Sequence, residues 1–293
     1  MITKTKQDEA LVAKIREAVL DMMSRVTFDK DSHTYTRVSD GAWLQGVSTV
    51  SSIYPKDWLA AWGSKEAVKF LGYSDYADDT INAEKMLAAI KSYELETYLT
   101  LLQEAKGAAF RKSKDALLDG TTGHEWLEQY VKAQIRGEKT PEIPTGMLER
   151  PIKQFIKWAE GNVDYWILSE ARVANPEKGY AGTLDGLAMM KTGKLAIIDF
   201  KFASHISADY YLQCAGYQAT FEPYGIKIDE RIIIRLPKTL EMDVWNKKEH
   251  KYEKKPNNIE IHKVATKYEL DRDVFFGCLP LKKWINSVKS LGI

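Results

Sequence analysis

The feature that most limits how this chain folds is a pair of apolar segments, each with a carboxylate set among residues that belong in a core. Tyr180-Ala-Gly-Thr-Leu-Asp185-Gly is followed by Lys194-Leu-Ala-Ile-Ile-Asp199-Phe-Lys201. Both read as strands, and Lys191-Thr-Gly-Lys194 between them reads as a hairpin turn. If the chain reverses there, Asp185 lies beside Asp199 or Phe200 on the neighbouring strand. Asp199 and Lys201 stand two apart on one strand and so share a face. The pattern predicts two carboxylates and one ammonium at one end of a hairpin, with the register left open.

The chemistry of that trio is specific. Two adjacent carboxylates repel each other unless a cation lies between them. A hard dication, Mg²⁺ or Mn²⁺, takes oxygen ligands, acidifies bound water and neutralises charge on a phosphate. A lysine alongside suits orienting the attacking water or stabilising a pentacoordinate phosphate. An Asp-x-Lys pair by itself is a common feature of exposed hairpins. The Gly182-Thr-Leu-Asp185 strand before it is what gives the pair weight.

Two flanking segments bear on the same site. In Tyr211-Leu-Gln213-Cys-Ala-Gly-Tyr217, Gln213 and Tyr217 share one face of a helix, as a polar pair on a solvated helix also would. Upstream, Thr122-Gly-His124-Glu125 reads as a capping box, with Thr122 as N-cap, Glu125 at N3 and His124 in the first turn. A lone histidine is more often structural than a ligand.

The remaining chain supplies the framework. Leu11, Ile15, Ala18, Val19 and Met22 recur at helical spacing within Gln7–Met23. Val26–Tyr35 and Trp43–Ile53 flank a Ser39–Asp40–Gly41 turn and predict a hairpin. Lys56 to Leu118 is helical in composition, and further helices are predicted over Thr122–Arg136 and Met147–Glu160. Strands follow at Trp166–Ala174, Tyr180–Met190 and Lys194–Phe202. Then come a helix at Ser207–Pro223, an apolar run at Arg231–Leu236, a polar hairpin over Glu241–Val264 and a last helix at Asp271–Val288. The order predicts α/β or α+β with a helical insertion near the front, and an α/β fold with a mixed central sheet flanked by helices is the reading adopted. Its stretches are an N-terminal helix and hairpin (1–55), a helical insertion (56–118) and a core (119–293).

Composition narrows the classes. With 42 basic and 41 acidic side chains, the net charge of +1 speaks neither for nor against nucleic acid, and any basic surface must be local. Cys214 and Cys278 are the only cysteines. They exclude a disulfide scaffold and a four-cysteine zinc or iron–sulfur site, and they suit a reducing cytosol. No run reaches the length of a membrane span and no signal peptide is visible, so a soluble cytoplasmic protein is expected.

Taken in order, Gly-His124-Glu, Gly182-Thr-Leu-Asp185, Asp199-Phe-Lys201 and Gln213-Cys-Ala-Gly-Tyr217 resemble the RecB-type branch of the PD-(D/E)XK nucleases. The likeness covers about residues 120–220. Gly46-Val-Ser-Thr-Val and Leu59-Ala-Ala-Trp62 resemble the opening of mitochondrial genome maintenance exonucleases and related phage exonucleases. The resemblance implies a restriction-endonuclease-like core with a helical arch over residues 56–118. It implies Mg²⁺ or Mn²⁺ held by His124, Asp185, Asp199 and the Phe200 carbonyl, and no iron–sulfur cluster. Lys201 would act on water or phosphate, Gln213 and Tyr217 would brace the site or touch DNA, and Glu170 would be an extra acid. The implied activity is DNA exonuclease, on single strands or ends, in phage-type recombination, replication or repair, alongside a recombination or single-strand-binding protein. A structure-specific or nicking endonuclease, and a catalytically silent DNA-binding protein, are the alternatives.

Weaker features point the same way or to ordinary structure. Lys247, Lys248, Lys251, Lys254 and Lys255, with Trp245 and Tyr252, make a basic hairpin tip that suits phosphates and bases, or simply a solvated edge that blocks aggregation. Trp58, Trp62, Phe70, Tyr73 and Tyr76 suit base stacking or core packing.

Overall fold

The computed structural model describes residues 6–73, 80–249 and 251–292. Tyr76 lies outside these. In chain order the elements are α1 (Lys6–Ser24), β1 (Val26–Asp29), β2 (Thr34–Arg37), β3 (Trp43–Gly46), α2 (Val47–Ser51), α3 (Trp58–Phe70), α4 (Thr80–Lys91) and α5 (Leu95–Arg136). Then follow α6 (Glu149–Asn162), β4 (Val163–Asn175), β5 (Tyr180–Met190), β6 (Leu195–Phe202), α7 (Asp209–Ala219) and β7 (Glu230–Leu236). The chain closes with β8 (Glu241–Asn246), β9 (Lys251–Pro256), β10 (Glu260–Lys263) and α8 (Tyr268–Ser290). It divides into two compact units. The first holds residues 1–54, 123–237 and 258–293, and the second holds 55–122 and 238–257.

The first unit is α/β, built on a mixed eight-stranded sheet flanked by helices. β4 and β5 pair antiparallel along the whole of β5. On its other edge β5 has two successive partners. β3 runs parallel to its start, with Gln45 opposite Tyr180 and Gly46 opposite Ala181. β6 runs antiparallel to its end, from Gly186 opposite Ile198 to Met189 opposite Leu195. Residues 182–185 lie between the two partners, so the sheet forks there. Past the fork β6 is paired along β7 alone, in parallel, and β10 closes that edge.

Alternation along the strands fills two cores. Ile197 and Ile233 face one side, where α1, α2, α7 and α8 deliver Ile15, Val19, Val47, Tyr217 and Phe275. Ile198, Phe200, Ile232 and Ile234 face the other, against Leu127 and Val131 of α5 and Ile152 and Phe155 of α6.

Several sequence expectations change. Val26–Tyr35 is itself a hairpin of β1 and β2, turning through His33 at a left-handed φ of 55°. Gly46-Val-Ser-Thr-Val is not strand beyond Gly46, because Val47 and Val50 are buried from the short helix α2, and core packing overrides β propensity. The polar hairpin ends at Pro256, and Glu260–Lys263 crosses to pair with β7. Thr122 is no N-cap, because α5 runs unbroken through it and the amides it was to cap already have helical partners.

The second unit contains α3, α4, the part of α5 up to Thr122 and the β8–β9 hairpin. Residues 238–257, read from sequence with the 119–293 core, belong to it. Among its described residues Ala105 is the only buried apolar side chain. Trp62 and Phe70 are half-buried and Tyr73 is exposed. Lys112 pairs with Glu66 at 2.8 Å. At the hairpin, Lys254 lies 3.9 Å from Glu241, Lys255 lies 3.9 Å from Glu253, and Trp245 is exposed.

Candidate metal centre

The fork in the sheet gathers the acids. Extending the β5–β6 register by one position sets Asp185 opposite Asp199. On the other edge, Ser169 opposite Gly186 and Ala171 opposite Leu184 set Glu170 opposite Asp185. Three carboxylates from three adjacent strands thus form one row. Phe200 no longer finds a backbone partner on β5, and its N–H donates to Asp185 Oδ2 at 2.7 Å. Glu170 holds a left-handed φ of 45°. That conformation strains a residue with a Cβ by about 1–3 kcal/mol and collects at functional sites.

His124 reaches the row from α5 because Gly123 beside it has no side chain. A Cβ there would stand 2.2 Å from the Phe202 ring at the end of β6. The His124 and Phe202 rings lie 5.3 Å apart. Ligand atoms of His124, Glu170 and Asp185 all fall within 4.8 Å of one another. Asp199 is fully buried, with Oδ2 2.6 Å from Lys201 Nζ. Its Oδ1 accepts no hydrogen bond among the described residues.

Electrostatics follow from this crowding. Burial, with Asp185 and Glu128 nearby, raises the Glu170 carboxyl to about 8 against the pull of Lys132 and Lys201. Burial also raises Asp185, opposed by Lys201 and the Phe200 amide. Asp199 rises to about 6, mainly through burial and despite Lys201. Lys201 is itself half-buried and desolvated, yet Asp199 and Asp185 hold its ammonium charged above the usual lysine range. Three acids that resist joint ionisation, an orphaned carboxylate oxygen and an imidazole are a donor set that fits a hard or borderline dication.

α7 backs the row. Gln213 Nε2 donates to the Tyr217 hydroxyl at 3.0 Å, inside the protein. The Tyr217 ring packs over Gly182, where a Cβ would meet Tyr217 Cε1 at 2.9 Å and Val47 Cγ2 at 3.0 Å. The glycine of the Gly-x-x-Asp strand is therefore what lets α7 and α2 approach the site.

The expected ligands His124 and Asp185 are brought together with Glu170, while Asp199 is bound to Lys201. Phe200 contributes its amide, and its ring lies in the opposite core. Sequence reading missed Tyr210, whose ring centroid is 5.1 Å from Lys201 Nζ, and Cys214, buried beside Asp199 and Lys201. Tyr210 stands three residues before Gln213 and seven before Tyr217, so the helical period of that face held the signal. It also missed Arg235, registered beside Lys201 on β7. Arg235 donates to the carbonyls of Ala203 (3.2 Å) and Asn258 (2.9 Å), tying down the chain after β6.

No protein-family model matches the chain, and no curated protein matches it. Fold and side chains define an α/β protein with a half-buried carboxylate–lysine–histidine centre at a fork in its sheet. No helix among the described residues is long and apolar enough to cross a membrane.

Proposed function

We propose that this chain is a metal-dependent deoxyribonuclease on a PD-(D/E)XK-type core, an exonuclease acting on single-stranded DNA or DNA ends. The observation that carries the reading is the row Glu170–Asp185–Asp199 with His124 at one end and the ion-paired Lys201 at the other. His124, Glu170, Asp185 and Asp199 would hold Mg²⁺ or Mn²⁺, which supplies an acidified water and charge neutralisation at the phosphate. Lys201 stays charged in a half-buried setting, where one ammonium stabilises a developing phosphorane more than it would in bulk water. The Phe200 amide fixes Asp185, and the Gln213–Tyr217 pair fixes the wall behind it. A non-catalytic binding protein has no use for three carboxylates that destabilise its fold. The preference for single strands and free ends, and a setting in phage-type recombination or repair, rest on the resemblance of the sequence motifs.

The test is hydrolysis of end-labelled linear DNA by the purified chain. Mg²⁺ or Mn²⁺ should support progressive loss of linear single strands, EDTA should stop it, and circular single strands should survive. No cleavage with either metal overturns the nuclease reading, and efficient cutting of circles replaces exonuclease with endonuclease.

A further inference from the structure

α8 has two apolar stripes, and the fold uses one. Asp271, Phe275 and Leu279 are buried, with Phe275 and Leu279 joining the core beside α7. A second stripe runs Leu270, Val274, Gly277, Leu281, Trp284 and Val288, spaced alternately by four and three residues, and Leu291 continues it at the cap just past the helix. This is a heptad seam, the pattern by which one helix packs along another. Its large members face solvent: Leu270 is 61% exposed, Trp284 62% and Leu291 74%, with Val274 and Leu281 at 44% each.

We propose that this stripe pairs with α8 of a second copy of the chain, antiparallel, about a two-fold axis beside Leu279. The stripe is self-complementary only in that direction. Antiparallel layering sets Leu281 against Gly277 of the other copy, Trp284 against Val274 and Leu270 against Val288, so each bulky knob meets a small partner. Gly277 has no purpose inside its own chain: a Cβ there meets nothing within 4 Å. A mid-helix glycine without a packing role at home weakens the helix, and here it is the hollow for Leu281.

Charge agrees with the direction. Glu269 and Asp273 lie on the first half of α8, and Lys282, Lys283 and Lys289 lie on the second. Arg272, in the first half, is turned to Glu222 and Asp273. Antiparallel packing opposes the acidic half to the basic half, and the two helix dipoles also oppose. A parallel pair would set like against like. Pro280 falls one residue from the axis, so any bend it imposes is shared by both copies. The exposed apolar side chains offer on the order of 500 Å² per copy, so the pair buries on the order of 1,000 Å², the threshold of a specific interface. The dimer is therefore of modest affinity.

The test is sedimentation equilibrium of the full chain across roughly 1 to 100 µM, the range in which such a Kd falls. The wild type should pass from monomer to dimer. Leu281→Asp should weaken association by at least about tenfold. Gly277→Leu should weaken it too, while leaving the thermal midpoint of the dilute monomer equal or higher. That combination separates a filled hollow from a damaged fold. A wild type that stays monomeric throughout the range overturns the proposal. So does a Leu281→Asp variant that dimerises as the wild type does.

Discussion

Isoleucine, valine and phenylalanine side chains fill both faces of the sheet in the first unit. In the second unit Ala105 alone among the described apolar side chains is buried, while Leu95, Leu99 and Phe110 face solvent. The difference explains where the demanding features lie. A left-handed glutamate, a fully buried aspartate and two half-buried carboxylates beside a half-buried ammonium all weigh against a fold. They persist only where dense packing over-determines the backbone. The first unit has that reserve and the second does not.

The sharpest way to break this comparison is to remove the charges that the first unit tolerates. Asp199→Asn and Lys201→Ala are each expected to lower DNA cleavage at least about a thousandfold, while the protein stays folded by circular dichroism. Near-normal turnover by either variant would sink the assignment of the centre. Truncation of packing side chains comes next. Phe155→Ala, in the core under Phe200, should cost about 3–5 kcal/mol in urea denaturation. Phe110→Ala, 74% exposed in the second unit, should stay within about 0.5 kcal/mol. Equal losses would mean that the two units are packed alike.

Two glycines sharpen the contrast further. Gly123→Ala pushes a methyl into the Phe202 ring and should cost about 1–3 kcal/mol. It should also weaken metal binding, because His124 moves with its neighbour. Gly63→Ala, within α3 where a Cβ meets nothing, should instead stabilise by about 0.5–1 kcal/mol. A further test is pH-dependent. Glu170 has a folded pKa raised to about 8 from an ordinary value of 4.5. Between those values the native state binds more protons than the unfolded chain, so metal-free stability falls as pH rises. Glu170→Gln should flatten that slope, and so should added Mn²⁺. A thermal midpoint that rises from pH 5 to 8 in EDTA would contradict the burial of this acid.

Much of the centre was legible because strand parity is simple. Asp199 and Lys201 had to share a face, and a turn at Lys191–Lys194 had to bring Asp185 near them. What parity could not give was the fork. That β3 and β6 divide one edge of β5 depends on long-range pairing, such as Gln45 with Tyr180, which no local pattern encodes. The same blindness hid the reach of α5. Thr122 and Glu125 have the right spacing for a cap, yet the apolar spacing on both sides simply continues through them. Val47 and Val50 misled in the opposite direction, since β-branched residues favour strand locally and the core beside Gly182 recruits them as helix. Glu170 was visible as an acid on a strand, but its left-handed turn toward Asp185 belongs to tertiary structure alone.

The alternation along β6 works like a reading frame. Even positions from Ala196 to Phe202 supply one core, and odd positions from Leu195 to Lys201 supply the other core and then the chemistry. One residue inserted between Ile197 and Ile198 would preserve every downstream motif as text. It would nonetheless turn Asp199 and Lys201 into the packing under α6 and present Phe200 to the acids. Composition, charge and the Asp-x-Lys spelling would all survive such a frameshift in space, and the centre would not.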